Sequence, residues 1–327
     1  MTTTSLTHMP RLLTQTLYCP FPAAINPHRD VVTRHLVEWG QRWELLTPTT
    51  AQQLLAAHLD EFVARLYPHA TRDVLQLAAC WFTWLFVHDD QADETSEDVR
   101  PHHMVALHTR CRALLAGAPP RAADVPLSAA LADLLRQFRQ QATPRQVQAF
   151  TDAMQRYVTA VEQETAQRAL GATFNVATYL QVRRDSSGVY PSLPLTELSQ
   201  PSPLPSAVRR HPALHRLHAL VNNIIAWCND LYSLPKEQHQ SPPSNLVLLL
   251  GAEQGLALPA AFERVVALHN AEVTRLLAWE AHLQALGLAD ETLLTQYCTG
   301  LHHCIRGHLD WSCTTSRYQA ATLVRAA

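Results

Sequence analysis

From about residue 30 onward, apolar positions return at the spacing of an α-helix. In "VVTRHLVEWGQRW", Val32, Leu36, Trp39 and Trp43 fall near one face, as in a helix buried on one side. "TPTTAQQLLAAHLDEFVARLY" opens on a Thr-Pro start signal and stays amphipathic, predicting a helix to about residue 67. Further helical windows lie near 71–94, 103–116, 127–141, 144–170, 173–182, 207–237, 244–250, 255–286 and 290–312. The breaks carry Pro or Gly: "AGAPPRAADVP" (116–126), "PSLPLTELSQPSPLPS" (191–206) and "QSPPSN" (240–245). No β-branched alternation is long enough for a strand, and neither a fixed repeat nor a long polar linker divides the chain. The pattern predicts one all-α domain of roughly ten helices. Residues 1–30, broken by Pro, are expected to lie extended across it.

Composition supports this. Of 327 residues, 47% are hydrophobic and nine are Gly, so a large core of helix formers is available. A formal charge of −2 gives no electrostatic case for nucleic acid. Seven cysteines, an odd number with no CxxC, argue against a disulfide framework and for reduced thiols in the cytoplasm. "MTTTSLTHMP" lacks the apolar core of a signal peptide, and the longest apolar run, "LAACWFTWLFV", is 11 residues, too short for a membrane span.

Three constellations carry chemistry. "WFTWLFVHDDQADE" drives an aromatic run into Asp89, Asp90, Asp93 and Glu94. On a helix Asp89 and Asp93 share a face, with Asp90 about 100° aside. Such carboxylates suit a hard divalent ion that also binds substrate phosphate, although a solvated helix end looks the same. In "NDLYSLPKE", Asn229, Ser233 and Glu237 stand at four-residue steps and offer amide, hydroxyl and carboxylate oxygen. Lys236 lies beside them, and the apolar "LHALVNNIIAWC" before them makes the row emerge from a buried helix. Pro235 within the row should kink the helix or end its regular part. In "WSCTTSRYQ", Arg317 and Tyr318 provide a guanidinium fork and a phenol for phosphate oxygens.

Together these motifs, in this order, resemble class I terpene synthases of the bacterial type. "YCPFPAAINPH" (18–28) is similar to the N-terminal segment those enzymes fold over the active site, and "LYPHA" (66–70) and "NLV" (245–247) also fit. "RRDSSG" (183–188) resembles their phosphate-sensing helix break, with Arg184 as sensor, Ser187 as linker and Gly188 as effector. Arg183 competes for the sensor role; the spacing to Gly188 favours Arg184.

The resemblance implies an antiparallel α-helical bundle with a deep apolar pocket, a single domain over 1–327 with a C-terminal tail at 319–327. It implies Asp89, Asp90 and Asp93 on one wall and Asn229, Ser233 and Glu237 on the other. Three Mg²⁺ ions, with Mn²⁺ able to substitute, would bridge the walls through the diphosphate of an isoprenoid. Arg184, Lys236, Arg317 and Tyr318 would hold the remaining phosphate oxygens. Phe86 and Trp311 are the leading candidates for lining the pocket against a carbocation, with Phe82 next; Trp81 and Trp84 read as core. The expected substrate is C15 farnesyl diphosphate, then C20 geranylgeranyl diphosphate. The expected reaction is ionisation and cyclisation to a sesquiterpene hydrocarbon or alcohol, catalysed by a carbon–oxygen lyase. A homodimer fits the family. A chain-elongating prenyltransferase is disfavoured because the second site is not aspartate-rich, and a non-catalytic diphosphate-binding bundle because every motif residue is intact.

Overall fold

In a computed structural model of the chain, the described residues are 16–94 and 100–318, with the side chains of 93, 94 and 100–103 also outside the description. Among the described residues, the first helix to be numbered is α1 (Arg29–Arg42). Then come α2 (Pro48–Ala56), α3 (Leu59–Leu66), α4 (Arg72–Glu94), α5 (Arg100–Leu115), α6 (Pro126–Gln141) and α7 (Pro144–Ala169). α8 (Val176–Ser186), α9 (Val189–Leu198), α10 (Ser206–Arg209), α11 (Pro212–Glu237) and α12 (Leu246–Gln254) follow. α13 (Leu258–Ala285), α14 (Glu291–Thr314) and a 3₁₀ turn (Ser316–Tyr318) end the described chain. No strand occurs among the described residues. All seven cysteines are free thiols. No single described helix is long and apolar enough to cross a membrane; the bent pair α12–α13 alone reaches that length and composition.

Local chemistry sets the helix starts. Thr47 and Thr143 each cap a helix whose first residue is Pro, and each shares a reciprocal capping box with the residue three positions on. Asn175, Asn245 and Asp290 accept backbone N–H groups at the starts of α8, α12 and α14. The apolar faces then meet in two cores, one around α4 with Trp81 and Trp84 at its centre, the other among α11, α13 and α14.

Three features depart from the sequence pattern. The window over 48–67 is two helices, because His58 adopts the left-handed conformation (φ 57°) between α2 and α3. That break exposes the Ala57 carbonyl, which accepts from Trp311 Nε1 at 2.7 Å and Thr315 Oγ1 at 2.9 Å. The end of α14, and the turn after it, are anchored there. The Pro-rich stretch at 191–206, read as a break, holds most of α9. Pro191 stands in its first turn, where no backbone donor is needed, and only Pro194 lies in the interior. Pro235 does not end α11, which continues through it to Glu237.

α14 approaches α3 closely at Gly307, where a Cβ would lie 2.8 Å from the Arg65 carbonyl carbon. Residues 16–28 run along the outside. Asn26 donates to the Tyr67 and Ala70 carbonyls, and Phe21 stacks on His302 at 4.0 Å. None of residues 16–28 lines the cavities described below. Residues 1–15 and the tail 319–327 lie outside the described residues.

Candidate active site

Two chambers share a wall at the end of the bundle where α4 and α11 finish. The deeper one is mostly apolar and aromatic: Phe62, Phe82, Phe86, Tyr157, Trp311 and aliphatic side chains face it. Phe62 is its hub, with ring centroids 4.5 Å from Trp311, 5.1 Å from Phe82 and 6.1 Å from Phe86. The outer chamber is polar: Asp89, Asn229, Ser233, Lys236, Glu237 and Arg317 line it, together with Arg168, Arg183 and Tyr318. Asp89, Asn229, Arg183, Arg317 and Tyr318 line both.

Acids and cations alternate around the polar chamber. Arg317 donates to Asp89 at 2.9 Å and to Asp90 at 2.6 and 3.2 Å, and its guanidinium lies 4.8 Å above the Phe86 ring. Burial alone would lower the Arg317 pKa; the Asp89 charge and the Asp90 bond outweigh that and raise it. Next to it, the Tyr318 hydroxyl accepts from Asn229 Nδ2 at 2.6 Å. Asn229 Oδ1 in turn accepts from Arg183 at 2.6 Å. Arg183 also reaches Asp230 at 2.9 and 3.1 Å, and Tyr179 donates to the other Asp230 oxygen at 2.7 Å. One bonded chain therefore links α4, the 3₁₀ turn, α11 and α8.

The oxygens of Asn229, Ser233 and Glu237 suit a hard divalent cation. Ser233 Oγ is buried with no hydrogen-bond partner of good geometry, although it lies close enough to Glu237 to favour that carboxylate. An orphaned hydroxyl between an amide and a carboxylate is what a missing ligand would leave. Burial, then the Asp230 charge, pushes Glu237 up to about 7. Asn245 holds it, donating to Glu237 Oε2 at 2.8 Å and to the Asp230 carbonyl at 2.7 Å. Among the described residues no three His, Cys, Asp or Glu side chains converge as a cage. Each wall here instead contributes oxygens of mixed type. Asp93 is in α4, but its side chain is outside the description.

The helix break falls where the sequence placed it. Ser187 caps the end of α8, and Gly188, at φ 74°, caps the start of α9. Asn222 of α11 pins the break by donating to the Arg184 carbonyl at 2.8 Å and Ser187 Oγ at 2.9 Å. The break faces Arg183, not Arg184, to the cavities. Arg183 lines both chambers, whereas Arg184, the residue preferred from its spacing to Gly188, lines a separate groove with Arg156, Asp185 and Tyr190. Phe86 and Trp311 line the aromatic chamber, Lys236 lines the polar one, and Arg317 and Tyr318 line both.

Several contributors went unread in the sequence. Asp230 was visible as the second letter of "ND", and Asn245 as the cap in "SNLV". Phe62, Tyr157, Glu164 and Asn222 had no local signal. Glu164 accepts from Ser186 at 2.6 Å, and burial raises its pKa.

The fold and these motifs define a class I terpene synthase, and the chain belongs to that family. Residues 80–275 match the family described as "Terpene synthase family 2, C-terminal metal binding", a span that includes both oxygen-bearing walls. It is thus an enzyme of a family that uses a divalent metal. Among relatives, the (+)-T-muurolol synthase ((2E,6E)-farnesyl diphosphate cyclizing) of Roseiflexus castenholzii is 39% identical, covering 92% of this chain and 93% of that one. The germacrene A synthase of Nostoc punctiforme is 32% identical, covering 95% and 96%. A solved cucumene synthase variant has a TM-score of 0.81 at 27% identity, covering 91% of this chain and 100% of that one.

Proposed function

We propose that the protein is a carbon–oxygen lyase that ionises farnesyl diphosphate and cyclises the resulting cation to a sesquiterpene, with Mg²⁺, three ions as in the resemblance, as cofactor. The observation carrying this reading is that the carboxylates of α4 and the Asn–Ser–Glu row of α11 border one polar chamber opening into an aromatic one. The farnesyl-cyclising relatives support C15 over C20.

When bound, the metal would neutralise the diphosphate leaving group as a Lewis acid. Asp89 and Asp90 would hold it on one wall, and Asn229, Ser233 and Glu237 on the other. Arg183, Lys236, Arg317 and Tyr318 can direct cationic or phenolic donors at the remaining phosphate oxygens. To do so, Arg317 exchanges the aspartates for phosphate, and Arg183 exchanges Asn229. Phe62, Phe86 and Trp311 line the chamber where the cation would move, each ring face contributing roughly 0.5–2 kcal/mol without a nucleophile that could trap it. Chamber closure excludes bulk water and strengthens the charge interactions within.

The test is incubation with C10, C15 and C20 diphosphates and Mg²⁺, followed by gas chromatography of the extract and a pyrophosphate assay. The expected result is pyrophosphate and a cyclic C15 product from farnesyl diphosphate. Asn229→Ala and Glu237→Ala should abolish turnover with helical circular dichroism intact. Longer diphosphates formed with added isopentenyl diphosphate would mark a prenyltransferase instead.

A further inference from the structure

Arg317 rests on Asp89 and Asp90, and Tyr318 bonds Asn229. The exchange proposed above gives all three of those partners to the metal, so they are not what aims the pair at phosphate. The Phe86 ring under the guanidinium attracts it without supplying a hydrogen-bond direction. What stays is the attachment of the 3₁₀ turn itself. That attachment lies outside both chambers, since neither Thr315 nor Ala57 lines either one.

Thr315 is fully buried and leads the chain out of α14 in extended conformation (φ −63°, ψ 139°). Its hydroxyl is bonded in both directions. It donates to the Ala57 carbonyl at 2.9 Å and accepts the Arg317 backbone N–H at 3.2 Å. The Thr315 N–H donates to the Trp311 carbonyl at 2.9 Å, and Trp311 Nε1 shares the Ala57 carbonyl at 2.7 Å. One hydroxyl therefore fixes the Arg317 backbone against the end of α2 and, through the shared carbonyl, against the aromatic wall of the deeper chamber. Ser316 differs. It is exposed, and its Oγ reaches the Ala56 carbonyl at 3.3 Å with no bond onward to Arg317.

We propose that Thr315 is the positioning residue for diphosphate binding by Arg317. It touches no ligand and acts through the Arg317 backbone. With that backbone held beforehand, only side-chain rotamers remain to be ordered when the guanidinium moves from carboxylate to phosphate. The hydroxyl carries the role, and the bulk of the side chain does not: Val would keep the shape and remove both bonds. This inference rests on the terpene cyclase reading, in which Arg317 meets the leaving group.

The test measures pyrophosphate binding in the presence of Mg²⁺ by calorimetry, steady-state kinetics on farnesyl diphosphate, and helicity by circular dichroism. Thr315→Val is expected to weaken pyrophosphate binding about tenfold and to raise KM by a similar factor, with helicity intact. Thr315→Ser, which keeps the hydroxyl, should recover most of that affinity. Ser316→Ala, which removes a bond from the same turn but none to Arg317, should stay within about twofold of wild type. In an Arg317→Ala background, Thr315→Val should weaken pyrophosphate binding no further, because the residue it acts through is gone. Thr315→Ala enters the same cycle if the Val variant does not fold. Equal losses with and without Arg317, or a Ser316→Ala loss as large as that of Thr315→Val, would reduce Thr315 to a general anchor and overturn the proposal. A wild type that binds pyrophosphate with Mg²⁺ yet releases none from farnesyl diphosphate would overturn the cyclase reading, while the binding cycle would still decide the role of Thr315.

Discussion

Arg183 and Arg184 are adjacent, yet their side chains leave α8 about 100° apart, and only Arg183 lines the polar chamber. Sequence spacing cannot choose between them, because the choice is made by Asp230, 47 positions away, which holds Arg183 at 2.9 Å. Their unlike settings lead to unlike predictions. Arg183→Lys keeps the charge but loses the fork that spans Asn229 and Asp230, and turnover should fall on the order of 100-fold. Arg184→Lys should leave kcat within about threefold, since its groove is separate. Steady-state kinetics on the two variants checks this, and equal losses would return the sensor role to either residue. The same contrast shows what was legible. Asn229, Ser233 and Glu237 were readable because four-residue steps of oxygen-bearing side chains announce a helix face, and Asp89 and Asp90 because they end an aromatic run. Phe62 and Asn222 were not, because their roles come from contacts made across helices.

At the scale of the elements, the most informative feature is the junction between α8 and α9. Gly188 takes φ 74°, and a Cβ there would lie 2.8 Å from Leu85 Cδ2 on α4. Gly188→Ala therefore faces left-handed strain of about 1–2 kcal/mol and a clash with a chamber-lining side chain. Thermal unfolding should show a loss of that order, and the product mixture should shift because Leu85 must move. Adding Leu85→Val should relieve the clash but not the backbone strain, so only part of the stability should return; full recovery would refute this division. The sequence pointed to this junction through "SSG", yet hid the helix beyond it. Pro191 and Pro194 read as breakers until their positions in α9 are known. The split at His58 was equally hidden, since the apolar spacing runs through it. What fixes that break is tertiary: the Ala57 carbonyl it frees is taken by Trp311 and Thr315.

Across the whole molecule, the site joins residues more than 200 positions apart, and its charged groups are already paired with one another. Arg317 satisfies Asp89 and Asp90, and Arg183 satisfies Asp230 and Asn229. For the aspartates to take a cation, they must release Arg317, whose guanidinium is then left facing a site that has gained positive charge. For Arg317 to take an anion, it must leave two carboxylates that are then left facing negative charge, while Arg183 gives up Asn229. Either ligand alone breaks pairs that it does not replace, whereas both together replace every pair broken. Mg²⁺ and pyrophosphate should therefore bind cooperatively. A ligand at about 100 times its Kd stabilises the fold by about 2.7 kcal/mol, enough to read as a thermal shift. Each alone should move Tm little, and the pair should raise it by several degrees. Arg317→Ala separates this account from simple additive binding. Removing the competing guanidinium should enlarge the shift from Mg²⁺ alone, because the aspartates are freed, yet shrink the joint shift, because a phosphate donor is lost. If Arg317→Ala weakens both shifts alike, Arg317 does not compete with the cation for Asp89 and Asp90, and the exchange of partners proposed for catalysis fails with it.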